Sequence, residues 1–211
     1  MANATENNQL RKLANAIQEL ANTVNSENPH IKISQLVHAC RFFATLKFNF
    51  GFPFVFVDLE VSSKVDYVER GATSEDETLQ SLVERDIAQG IAKVNSSPSR
   101  NAIRLKRTIE MVMVVSEQML ENEGSDSLVD PITIAYGQVF APYHGPVVRE
   151  AFSVAKAFIP TFSSVLNVLN EDENSVKEPL QKYVAASKVV VQYMENVYQS
   201  YESSAELLGL I

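Results

Sequence analysis

Leu10, Leu13, Ile17, Leu20 and Val24 recur at alternating spacings of three and four, so they line one face of a first helix. Asn28-Pro29 breaks that pattern. Ser34 suits the cap of a second helix running from Gln35 to about Phe48. From Phe48 to Val57 the period changes. Phe50, Phe52, Phe54 and Phe56 alternate, as in a strand, but Pro53 sits among them and no second strand pattern exists to pair with. The better reading is a helix that breaks at Gly51 to Pro53 and restarts near Phe54, with Val57, Val61, Val65 and Val68 on its next face.

Gly71 to Asp76 is a polar loop, and Leu79, Leu82, Val83 and Ile87 place a helix over about Glu75 to Ala92. Ser97-Pro98 is a helix start, with proline in the first turn, for a helix reaching about Asn122 and closed by Gly124. A shorter helix opens at Asp130-Pro131, and Val139 to Pro146 is rich in turn residues. Helices over about Val147 to Phe158 and Thr161 to Asn170 follow, then an acidic loop, Glu171 to Glu173. The last helix, about Ser175 to Ser200, carries Val184, Val190, Val191, Met194 and Val197. The pattern predicts an all-α chain of seven to nine helices, with no repeat and no linker to divide it: one domain, 1–211.

Composition narrows the function classes. A net charge of −8 argues against a general nucleic-acid binder, which needs a basic face. It also argues against a polybasic membrane anchor. The one cysteine, Cys40, cannot form an internal disulfide and reads as a small core residue. The Asn-rich N-terminus lacks the apolar stretch of a signal peptide, Ala2 stands where myristoylation needs glycine, and the C-terminus carries no prenylation box. The run Met111 to Val115 is far short of the roughly 18 apolar residues a membrane span needs. A cytoplasmic protein is the expectation.

Cations on apolar helices stand out against that acidic balance. Arg100, Arg104 and Arg107 share one helical face by spacings of four and three. Arg100 falls in the first turn, where a cation is unfavourable and where free backbone N–H groups also seek an anion. Two readings stand on these residues alone: a surface row pairing with acidic neighbours, or an anion site in which guanidinium grips two phosphate oxygens. Glu60 and Lys64 form an i, i+4 pair, which by itself reads as a solvent-facing ion pair. His144 lies in the turn-rich stretch. No nucleophile elbow, zinc-protease motif or glycine-rich phosphate loop accompanies it, and His30 and His38 do not give it metal-ligand spacing. Neither a metal site nor a catalytic triad is expected.

Taken together, Glu60-x-x-x-Lys64 after a Phe-rich helix, Arg100-Asn-x-x-Arg104-Leu-Lys-Arg107 and Tyr136-Gly-Gln-Val-Phe-Ala-Pro-Tyr-His144-Gly resemble the glycolipid transfer protein family, over nearly the whole chain and in order. The likeness is to its plant accelerated-cell-death branch, which is similar to ceramide-1-phosphate transfer proteins. The resemblance implies a two-layer helical sandwich of about eight helices and a surface headgroup site leading into a pocket for two lipid chains. It implies a non-enzymatic carrier or sensor without a cofactor. The ligand would be a ceramide-1-phosphate-type sphingolipid, membrane contact transient and the protein a monomer. A regulatory module that binds a protein partner on the same fold is the alternative.

The same resemblance gives each side chain a part. Lys64, Arg100 and Arg104 would grip the phosphate. Glu60 would accept from the ceramide amide N–H and hydroxyl, and His144 would donate to the amide carbonyl. In the glycolipid branch Asn stands at the position of Lys64 and a sugar-stacking Trp at that of Arg104. This chain has no Trp, which favours the phosphate branch. It departs from the family at two places. Glu60 replaces an Asp that is one methylene shorter, and Pro146 replaces a Trp used at the membrane surface. Docking would then fall to groups such as Phe158, Ile159 and Phe162.

Overall fold

The computed structural model describes residues 9–45, 52–202 and 204–209, with side chains at 9–43, 61–202 and 206–209. Among the described residues there are ten α-helices and no strand: α1 Gln9–Val24, α2 Ile33–Thr45, α3 Phe52–Gly71, α4 Leu79–Ala88, α5 Pro98–Glu121, α6 Val129–Val139, α7 Pro146–Ala155, α8 Phe162–Leu169, α9 Glu173–Gln199 and α10 Ser204–Leu208. A single 3-10 turn, Lys156–Phe158, follows α7.

Most helix starts are written in their caps. Ser97 accepts from the Arg100 N–H, and Pro98 takes the first position of α5, where a missing N–H costs nothing. Pro53 likewise sits in the first described turn of α3, and the expected break at Gly51 lies outside the described residues. Thr78 and Ser81 cap α4 reciprocally, so it starts at Leu79 and not near Glu75. Glu77, expected inside that helix, turns inward instead. It accepts from the Thr73 N–H at 2.6 Å and pairs with Arg85. Gly90, at φ +70°, stops the chain from continuing helically to Ala92. Asp172 caps α9 with Ser175 as its reciprocal partner, so that helix starts before Ser175.

The main core lies where α9 packs between α1 and α5, with α2, α3 and α4 against them. Leu13, Ile17, Leu20, Ile103, Ile109, Val190 and Met194 are fully buried there. Two buried tyrosines bolt α9 to α5: Tyr183 donates to the Ile109 carbonyl at 3.0 Å and Tyr198 to that of Ser99 at 2.6 Å. Their phenol pKa values are pushed upward, first by burial, so the hydroxyls stay protonated donors. Cys40 is fully buried in this core, as expected, and burial raises its thiol to about 12.

The far side is built more lightly. Val114, Ala135 and Val139 form a small cluster between α5 and α6, and Leu10, Leu166, Val176 and Leu180 another near α8. α7 buries no residue. The C-terminal α10 packs on α9 through the buried Leu207. Glu206 pairs with Lys93, and the Leu208 carbonyl accepts from Arg107.

One close approach positions the site. Gly71 ends α3 against Pro98, the first residue of α5, and a Cβ at 71 would lie 2.0 Å from Pro98 Cγ.

Candidate functional site

α3 and α5 pack side by side, and each contributes a cation to one open cleft of about 380 Å³. Lys64 comes from α3 and Arg104 from α5, with Ser63, Tyr67, Asn95 and Asn101 around them. Lys64 is only 8% exposed, so it does not face solvent as its helix position alone suggested. The two charges line the same cleft although both helices also face a densely apolar core. Glu60 lies one turn earlier on α3, and its side chain is outside the described residues. The same holds for the Phe-rich wall of the expected lipid pocket.

Arg100 takes a different position from Arg104. Its Nη1 donates to the Lys93 carbonyl at 2.6 Å, so it pins the loop that enters α5. Asn101 reinforces that loop by donating to the carbonyls of Asn95 and Ser97, at 2.9 and 2.8 Å.

The helix start itself is not the anion site its sequence suggested. Asp86, fully buried, accepts from the Ser99 N–H at 2.9 Å and the Ser97 hydroxyl at 2.8 Å. The chain's own carboxylate therefore meets the unpaired donors and the positive end of the α5 dipole. What remains for a ligand is side-chain charge.

Arg107 leaves the row altogether. It is buried, with its guanidinium 3.8 Å above the Tyr143 ring and a hydrogen bond to the Leu208 carbonyl. Burial is the leading cause that lowers its pKa. This contact ties α5 to the turn that holds His144. There, Nδ1 lies 3.0 Å from the Tyr136 hydroxyl, and Phe140 stacks on the imidazole with centroids 5.6 Å apart. The His144 carbonyl accepts from Arg149 Nε at 2.8 Å. Burial first, then Arg107 and Arg149, hold the His144 pKa below its ordinary value, so the ring is neutral at neutral pH.

The structure thus places Lys64 and Arg104 on one cleft, ties Arg100 to the loop before α5, and links His144 to α5 through Tyr143 and Arg107. Sequence reading missed Asp86, Asn101, Tyr136 and the Arg107–Tyr143 contact. Of these, Asn101, Arg107, Tyr136 and Tyr143 stand inside the family motifs without an assigned part, and Asp86 gave no sequence signal. Among the described residues no group of His, Cys, Asp or Glu could hold a metal ion, and no helix is long and apolar enough to cross a membrane. Of the three groups expected at a membrane, Phe158 is exposed. Ile159 is half-buried, and Phe162 packs on the Leu166 cluster.

The family model for Glycolipid transfer protein (GLTP) matches residues 31–171. The chain belongs to the glycolipid transfer protein family. Within that family it is 38% identical to Accelerated cell death 11 of Arabidopsis thaliana, over 95% of this chain and 97% of that one. It is 30% identical to the accelerated-cell-death 11 homolog protein of the same plant, over 92% and 87%. A crystal structure of an Arabidopsis accelerated-cell-death 11 mutant complexed with C12 ceramide-1-phosphate superposes with a TM-score of 0.88, at 37% identity, covering 96% of this chain and 98% of that one. Mouse ceramide-1-phosphate transfer protein, in its apo form, superposes at 0.80 with 20% identity, over 96% and 98%, which shows the shared fold. The glycolipid transfer protein fold expected from the motifs is the fold the chain adopts.

Proposed function

We propose that this chain carries ceramide-1-phosphate-type sphingolipids between membranes without chemically altering them. In this reading Lys64 and Arg104 hold the phosphate, and Arg100 assists from the first turn of α5. Glu60 accepts from the ceramide amide N–H and hydroxyl, and His144 donates to the amide carbonyl. The observation that carries it is the convergence of Lys64 and Arg104 in one cleft of an acidic chain. The ceramide-1-phosphate complex of the 37% identical relative supports it.

The physics is a division of labour. Exposing a lipid chain of about 14 methylenes to water costs about 11 kcal/mol at about 0.8 per group, so free lipid leaves a bilayer slowly. A protein interior is about as apolar as the bilayer, so chain burial removes that barrier without choosing among lipids. The headgroup chooses. Each charge-assisted hydrogen bond contributes about 1.5–3 kcal/mol. Two or three cations therefore separate a phosphate from a neutral sugar by several kcal/mol, less the cost of desolvating them. The carrier works as a monomer and touches membranes transiently from the cytoplasm.

Competition decides it. Vesicles carrying phosphorylated, glycosylated and plain ceramide are offered together, and the extracted lipid is identified. Ceramide-1-phosphate, recovered intact, is the expected product. Preferential extraction of the glycosylated lipid would reject the headgroup assignment.

A second reading has one observation behind it. α7 and the 3-10 turn after it leave Val147, Val154 and Phe158 exposed, and Pro146 stands at the family's membrane-contacting Trp position. This is the pattern of a regulatory module that binds a protein partner and has lost transfer. It requires that native mass spectrometry find no lipid on the protein after exposure to the same vesicles.

A further inference from the structure

We infer that the Tyr136 hydroxyl donates to His144 Nδ1 and so fixes the imidazole in the tautomer whose proton sits on Nε2, the nitrogen left to donate to the amide carbonyl of a bound ceramide. This rests on the proposed lipid reading and adds to it a positioning residue, Tyr136, that acts through His144.

The geometry is specific. Tyr136 Oη and His144 Nδ1 are 3.0 Å apart. Among the described residues His144 is the hydrogen-bond partner of that hydroxyl. The phenol is clamped: the Phe152 ring stacks on it with centroids 3.6 Å apart and planes within 9°. The imidazole is clamped as well, by Phe140 at 17° to its plane and by Arg149 on its own carbonyl.

The charge state agrees. Burial raises the Tyr136 pKa more than Arg149 lowers it, which keeps the phenol a donor. The charged groups that face His144 are Arg107, from α5, and Arg149, from α7; both disfavour imidazolium. A neutral imidazole carries one proton, and when Nδ1 accepts, that proton is on Nε2. The family motif places Tyr136 eight residues before His144, in the last turn of α6, with the turn that carries the imidazole just beyond it. The helix therefore sets the height of the phenol relative to the turn.

The test uses the full chain labelled with ¹⁵N in its three histidines, His144 being assigned by the signal lost in His144→Asn. The wild-type protein should show a pyridine-type Nδ1 and a pyrrole-type Nε2 at pH 7.5. In Tyr136→Phe the ring should protonate at higher pH, because the bond that stabilises the neutral form is gone. Ceramide-1-phosphate extraction should fall about fivefold, the worth of one hydrogen bond. A pyrrole-type Nδ1 in the wild-type protein would overturn the inference, and this measurement does not depend on the variant folding. An unchanged His144 titration in folded Tyr136→Phe would overturn it too. If the tautomer is as stated but wild-type protein extracts no ceramide-1-phosphate, the lipid reading fails and the Tyr136–His144 bond stands.

Discussion

Val190 and Val147 are the same residue at opposite extremes. Val190, on α9, is 0% exposed and sits among α1, α5 and the two bolted tyrosines. Val147, on α7, is 82% exposed in a helix that buries nothing. The contrast extends to the regions around them. The α1–α5–α9 region closes its apolar residues into one continuous core and ties it with tyrosine hydroxyls. The α6–α8 region holds two small clusters and leaves valines and Phe158 in water. A carrier has to be rigid where it recognises a headgroup, and α5 gains that rigidity from the dense side. Loosely packed helices, by contrast, open at low free-energy cost.

The comparison can be broken by mutation, most sharply in the core. Ile17→Ala should lower stability by about 2–5 kcal/mol, measured by denaturant unfolding. Cys40 offers a second readout, since its buried thiol, raised to about 12, should resist alkylation at pH 8 until the core opens. Rapid labelling of the native protein would mean the dense side is not dense.

Next in size is Arg104→Ala. It removes one charged grip, about 1.5–3 kcal/mol, so ceramide-1-phosphate transfer should fall by at least about tenfold while the helical circular dichroism stays unchanged. Full transfer by this variant would remove the cleft from the mechanism.

Asp86→Ala should cost about 1–3 kcal/mol of stability by leaving the Ser99 N–H and Ser97 hydroxyl without their buried acceptor. Thermal unfolding measures the loss, and a neutral result would show that the α5 start is satisfied in another way.

Smallest of all is Val147→Ser, whose effect on stability should stay within about 0.5 kcal/mol. A loss as large as that of Ile17→Ala would erase the distinction between the two regions.

The helices were legible wherever apolar period and cap agreed. Leu10 to Val24 and the Ser97-Pro98 start needed nothing beyond the chain itself. Boundaries went astray where a polar residue had two plausible uses. Glu75 looked like a helix start, while Thr78 with Ser81 made the better cap; Ser175 looked like a helix start and is the capping partner of Asp172. At the site, residue spacing put Arg100, Arg104 and Arg107 on one face, but it could not tell which would meet Lys64. Arg107 is drawn off by Tyr143 and Leu208, partners 36 and 101 residues away. Asp86 was illegible for the same reason. A lone acid in a helix reads as surface until folding carries a helix start onto it.

Gly71 carries a consequence for how this cleft could change over time. The helices bearing Lys64 and Arg104 touch where one ends and the other begins, and the contact has no room for a methyl group. Substituting any other residue there would wedge the two apart and spread the cations without altering either one. The span between the charges, and with it the size of anion they can grasp together, is thus governed by a residue that has no side chain to offer.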